Sequence, residues 1–213
     1  MKLTKHEHAC VVLEKDGDSI VIDPGVFSAQ PENIISGAAA ILITHEHFDH
    51  VNEEAVNAAL AGRPDLRVYA PAGLAEMFSA HAGQFTAVAA GDSLRIGGFD
   101  ISVHGDTHAI IHPDIPAIAN VGFFVDSSVY HPGDAYFVPD ASIGTLLLPT
   151  SGPWMKIGEA ADYVRAVRPD KVVQIHEMLL SDIGLGLAAN LLGEQGLTGI
   201  PLTQVPPGES ITV

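Results

Sequence analysis

Residues 44–50 read Thr44-His45-Glu46-His47-Phe48-Asp49-His50, and they follow directly on an apolar run. Such a run, bounded by polar residues, predicts a buried strand from Ala39 to Thr44, while Val51 to Leu60 has the spacing of an amphipathic helix. The histidine-rich segment therefore lies on a strand-to-helix loop. Side-chain nitrogens two residues apart, as in His45 and His47, can converge on one ion from an irregular loop. Asp49 and His50 offer an oxygen and a nitrogen to a neighbouring ion. Imidazole together with carboxylate suits zinc, manganese or iron better than calcium. Packing alone does not account for so many ligand-bearing groups at the end of a buried strand.

The rest of the chain reads as strands that first gather into hairpins and later alternate with helices. Ala9 to Leu13 and Ser19 to Ile22 flank Lys15-Asp16-Gly17-Asp18, whose Asp-Gly pair favours a hairpin turn. Asp23-Pro24-Gly25 ends the second strand, since proline cannot donate to a central ladder, and a loop follows. Further strands are predicted at Leu66 to Ala70, Ser93 to Ile96, Phe99 to Val103, Val121 to Val125, Ser128 to His131, Thr145 to Leu148, Lys171 to Ile175 and Ser210 to Val213. Helices are predicted at Leu74 to Ala80, Ile157 to Val167 and Ile183 to Leu192; the second stops before Pro169, as the pre-proline restriction requires. This order points to an α/β fold with layers of sheet covered by helices. No low-complexity linker interrupts it, so residues 1–213 are expected to form a single domain.

Ten Lys and Arg against 26 Asp and Glu give a formal charge of −16. That charge repels phosphate backbones and anionic membrane surfaces, so neither nucleic acid nor membrane is expected as a partner. A small-molecule substrate is expected instead, and the oligomeric state is not legible. The single cysteine, Cys10, sits in an apolar run and reads as a small buried hydrophobe. The first residues lack the apolar core of a signal peptide and no run approaches membrane-spanning length, which predicts a cytoplasmic protein.

Thr44-His45-Glu46-His47-Phe48-Asp49-His50 resembles the HxHxDH signature of the metallo-β-lactamase superfamily, which also follows an apolar strand. Further pieces stand in the family's order: Asp23 ending an early strand, a downstream histidine, His131-Pro132-Gly133-Asp134, and His176 after Val172-Val173-Gln174-Ile175. The stretch Lys5-His6-Glu7-His8-Ala9-Cys10 is similar to a narrower branch that includes ascorbate-6-phosphate lactonase. The resemblance implies a metallo-β-lactamase-like four-layer αββα sandwich. It also implies that His45, His47 and a mid-chain histidine hold a first metal ion, that Asp49, His50 and His176 hold a second, and that Asp134 bridges them. His104, His108 and His112 all compete for the mid-chain place; His108 is preferred, because it lies just past the Phe99 to Val103 strand.

Two divalent ions, zinc first with manganese or iron as alternatives, would generate a metal-bridging hydroxide at neutral pH. Asp49 would both hold the second ion and steer the nucleophile's proton. The expected activity is hydrolysis of an ester, lactone or phosphodiester bond in a small or medium-sized substrate. The competing readings are an iron-dependent oxidoreductase of the same fold and a non-catalytic metal-binding or regulatory protein. Among other residues, Asp23 reads as a hydrogen-bond acceptor organising its loop, and His8 as either a buried core histidine or a support for the ligands. His131 either orients the Gly-Asp turn or packs in its strand, His6 and His81 read as surface residues, and Trp154 and Lys156 sit where substrate contacts often lie.

Overall fold

The computed structural model describes residues 1–213. Two seven-stranded sheets face each other. In the first, β1 (Lys2–Lys5), β2 (Val11–Lys15) and β3 (Asp18–Ile22) are antiparallel, and β4 (Ala40–Leu42), β5 (Arg67–Ala70) and β6 (Phe85–Ala87) continue from β3 in parallel. The second repeats the pattern: β7 (Ser93–Ile96), β8 (Phe99–His104), β9 (Gly122–Val125) and β10 (Val129–His131) are antiparallel. From β10, β11 (Thr145–Pro149), β12 (Lys171–Ile175) and β13 (Leu202–Thr203) run parallel. The last strand, β14 (Ser210–Thr212), returns to the first sheet and pairs antiparallel with β1.

Alternation along the strands builds the layers. Ile20, Ile22, Ala40 and Leu42 point inward and meet Phe99, Phe123, Leu147 and Val173 of the other sheet in a core of 20 buried residues. Their neighbours Ile41, Ile43 and Val68 point outward against α1 (Pro31–Ser36) and α2 (Glu53–Gly62). Leu146, Leu148 and Val172 point outward against α3 (Ile157–Val167), whose Ala160, Ala161, Tyr163, Val164 and Val167 form one helical face, and against Leu192 of α4 (Asp182–Leu192). Strands covered on both faces read as unbroken apolar runs, which is why β4, β11 and β12 stand out. The result is a helix–sheet–sheet–helix sandwich.

Differences from the sequence reading are local. The predicted helix at 74–80 is absent; Ala72–Leu74 and Ser79–Gln84 form short 3-10 turns, the second kinked at His81, which has non-helical φ −125°, ψ 33°. The loop expected after Pro24 contains α1, and β1, β6 and β13 are added strands. Cys10 is buried and its thiol is pushed up to about 12 by burial, so it is an unreactive packing residue.

Candidate metal centre

The centre lies at the carboxyl ends of β3, β4, β10 and β12, where parallel strands stop and their connections splay apart, the usual place for a ligand in such sheets. The loop after β4 supplies His45, His47, Asp49 and His50. It is held down by Asp23, which leaves β3 with φ 51° and is fully buried. Asp23 Oδ1 accepts the Thr44 N–H at 2.8 Å, and Oδ2 accepts the Thr44 hydroxyl at 2.7 Å and His50 Nδ1 at 2.6 Å. Gly25 lets this turn lie against the ligand loop, since a Cβ there would stand 1.9 Å from the Asp49 carbonyl oxygen.

These contacts settle which ring nitrogens face inward. The Thr44 hydroxyl proton goes to Asp23, so His45 Nδ1, 3.1 Å from Thr44 Oγ1, donates to that oxygen and leaves His45 Nε2 as a lone pair. His45 Nε2 stands 3.1 Å from His47 Nδ1. His50 donates through Nδ1 to Asp23 and turns Nε2 toward Asp134 Oδ1, 3.2 Å away. His108 donates through Nδ1 to the Ala109 carbonyl at 2.6 Å and turns Nε2 inward as well. A backbone or carboxylate partner on the far nitrogen is how a ligating imidazole is oriented.

Asp134 is delivered by the turn after β10. His131 fixes that turn: its Nδ1 accepts the Gly133 N–H at 3.2 Å while Nε2 donates to the Ala9 carbonyl at 2.9 Å. Gly133, at φ 64°, passes so close to Thr44 and Asn120 that a Cβ would collide with both. Asp134 then reaches across the centre, with Oδ1 near His50 and Oδ2 3.5 Å from His108 Nε2 and 3.2 Å from His176 Nε2. The Trp154 indole N–H donates to Oδ2 at 2.7 Å. His176, which follows β12 at φ 57°, is also 3.5 Å from Asp49 Oδ2.

The structure thus brings all seven expected residues, His45, His47, Asp49, His50, His108, Asp134 and His176, to one place. His104 and His112 stay outside: His104 packs beside Phe124, Tyr130 and Phe137 and contacts Ser102, and His112 is exposed beside Asp114. One residue joins that the sequence left undecided. His8, at φ 60° and buried, puts Nε2 3.1 Å from Asp49 Oδ2 and its ring centroid 3.7 Å from that of His176. His8, Asp49, His50 and His176 form one group of potential ligands, His45, His47 and His108 another, and His45, His50 and Asp134 a third. Within each group the ligand atoms lie within 4.8 Å of one another. The sequence signs of His8 were its place in Lys5-His6-Glu7-His8-Ala9-Cys10 and its spacing from His6, whereas Trp154, the chain's one tryptophan, was visible but its carboxylate partner was not.

The electrostatics favour a positive charge at the centre. His50 Nε2, His108 Nε2, His176 Nε2 and Asp134 Oδ1 are buried with no hydrogen-bond partner, a rare condition in folded proteins. Burial holds His45 well below its ordinary value and lowers His47 and His8, the last to about 4. Burial would raise Asp49 and Asp134, but the close histidines, His176 and His8 for Asp49 and His50 and His176 for Asp134, hold both carboxyls below the usual range. Burial likewise opposes a charge on His50 and His176, yet Asp134 and its neighbouring carboxylates raise both. The residues therefore fit divalent ions in number, type and orientation.

Residues 2–176 match the family described as a β-lactamase superfamily domain. Protein Rv0786c of Mycobacterium tuberculosis is 38% identical over 216 aligned residues, which span 99% of this chain and 98% of that one. A UPF0173 metal-dependent hydrolase of Pyrobaculum arsenaticum is 30% identical, over 83% of this chain and 84% of its own. Among solved structures, Igni18, a metallo hydrolase from Ignicoccus hospitalis, superposes with a TM-score of 0.76 at 22% identity, covering 100% of this chain and 97% of that one. At that identity the likeness concerns the fold alone. Strand order, the HxHxDH loop and the family match agree, and the chain belongs to the metallo-β-lactamase superfamily.

Proposed function

We propose that the protein is a metal-dependent hydrolase acting on an ester, lactone or phosphodiester bond of a small molecule, with two divalent ions in the histidine–carboxylate cluster. The reading rests above all on the buried, unpartnered atoms of His50, His108, His176 and Asp134, which converge on one space. The Pyrobaculum relative, named a metal-dependent hydrolase, supports it. His45, His47 and His108 would hold one ion and Asp49, His50 and His176 the other, with Asp134 between them. Zinc suits this donor set first, and manganese or iron next. Ions held by these residues would supply Lewis acidity, which lowers the pKa of water and polarises a bond under attack.

The remaining work falls to the chain's own groups. Asp49, kept ionised, is an acceptor that can steer or take the proton of the attacking water. His8 fixes one oxygen of that carboxylate, and Trp154 fixes Oδ2 of Asp134. Preorganised carboxylates of this kind need no rearrangement during reaction. Elemental analysis of the purified protein is expected to give two ions per chain, with zinc rather than iron. His47→Ala and Asp134→Ala are expected to lose metal and turnover on a panel of esters, lactones and phosphodiesters. Wild-type metal content in both variants would refute the site; a fully loaded protein that cleaves nothing on the panel would refute the hydrolytic reading.

A further inference from the structure

Beside the centre, a cleft of about 600 Å³ opens between Ala109-Ile110-Ile111 on one side and Pro153-Trp154-Met155 on the other. A second, much smaller pocket shares Ala109-Ile110-Ile111 with it and is lined also by Ile115, Ile118 and the ligands His47 and His108. Ile110 and Ile115 are 71% and 51% exposed, so these apolar side chains stand open to water on the wall that adjoins the ligands. The cleft therefore borders the centre on two sides: Trp154, which lines it, donates its indole N–H to Asp134, and Ala109-Ile110-Ile111 also line the narrower pocket that holds His47 and His108.

Charge narrows the occupant. Of the ten lysines and arginines, only Lys156 lines the cleft, and it is paired at 3.2 Å with Glu159, which lines it too. A phosphate or carboxylate carried away from the reacting bond would meet mostly apolar side chains and a single exposed lysine that Glu159 also engages, inside a chain of formal charge −16. An uncharged hydrocarbon segment meets no such penalty.

We infer that the cleft between residues 109–118 and 153–156 binds the uncharged, apolar acyl chain of a carboxylic ester or lactone whose carbonyl lies at the histidine–carboxylate centre. The bond class rests on the proposed hydrolytic function; the apolar chain rests on the cleft itself. In the reaction the acyl C–O bond breaks, water supplies hydroxyl to the acyl carbon, and its remaining proton goes to the departing alkoxide. The same cleft disfavours substrates with a peripheral phosphate, and so sets this chain apart from an ascorbate-6-phosphate type of lactonase.

Trp154 is the only tryptophan, so its emission reports occupancy without turnover. Titration of the metal-loaded protein with unbranched alkanamides from butanamide to decanamide is expected to show affinity rising about fourfold per buried methylene. A terminal carboxylate on a chain of equal length is expected to weaken binding about tenfold or more. In parallel, p-nitrophenyl esters of the same acids should follow the same order in kcat/KM, and Ile110→Arg should shift preference toward the carboxylate-tailed ester. A ladder in emission with no ester cleaved keeps the cleft and removes the hydrolytic reading. Ester cleavage with no chain-length dependence, or no response of charge preference to Ile110→Arg, overturns the cleft assignment.

Discussion

Asp23 ends β3 in the left-handed region, a conformation that costs a non-glycine residue about 1–3 kcal/mol. His8 and His176 share that region and also face the centre. The backbone there is held by what its side chains do. Asp23 receives two bonds from Thr44 and one from His50, so Asp23→Asn, which places an amide hydrogen against His50 Nδ1, should release the His50 ring. The expected result is about a 10–100-fold loss of affinity for one ion, read by chelator competition with the fold intact by circular dichroism. Trp154→Phe removes the donor to Asp134 Oδ2 but keeps an aromatic wall. It should weaken metal binding by about tenfold, measured in the same way, and an unchanged affinity would mean that the indole contact does not position the carboxylate.

At the scale of elements, the ligand loop is wedged between the turn after β3 and the turn after β10. Gly25→Ala drives a Cβ into the Asp49 carbonyl, and no flexible side chain is available to yield. A loss of about 1–3 kcal/mol or more is expected, seen as a lowered denaturant midpoint together with reduced metal content. The hairpin of β2 and β3, the helix α3 and the strands β11 and β12 were legible because apolar alternation, turn residues and Pro169 all agreed. Other elements carried too little local signal. β1 has one inward apolar residue, Leu3, and a buried Lys5 whose Nζ bonds Glu177 beside His176; its partners β2 and β14 lie far apart in sequence. α1 buries only Ile35. The ligand loop was visible because its residues are adjacent, and His108 was preferred over His104 and His112 from its place past the Phe99 to Val103 strand; the Thr107–Ala119 bridge and the Ala109 carbonyl that aim it are tertiary details with no sequence sign. His8 stayed between two readings because only tertiary packing sets it against Asp49.

Across the whole molecule, acid and metal act on the same groups. His45, His8 and His131 are buried neutral, with pKa values lowered chiefly by burial, while the unfolded chain protonates its histidines below about pH 6.5. Folded-state values below the unfolded one mean that this stability is complete above about 6.5 and falls with pH, for His8 down to about 4. His50 and His176, raised in the absence of metal, work in the opposite sense: their contribution is complete below about 6.5 and is lost as pH rises through their folded values. With ions bound, both must be deprotonated, and that compensation vanishes. The loaded protein should therefore lose Tm more steeply than the chelated one between pH 7 and 5, and at neutral pH chelation should lower Tm, by about 2.7 kcal/mol of stability where free metal is 100 times Kd. Parallel pH profiles of Tm for the two forms would contradict this.

The pairing of β14 with β1 also orders events in time. Thr4 and Ser210 meet across 206 residues of sequence. At about 5–20 residues per second of synthesis, β1 waits roughly 10–40 s for that neighbour, with its outer edge unpaired and open to other chains. The sheet that carries the ligand loop is thus the first to be made and the last to be closed.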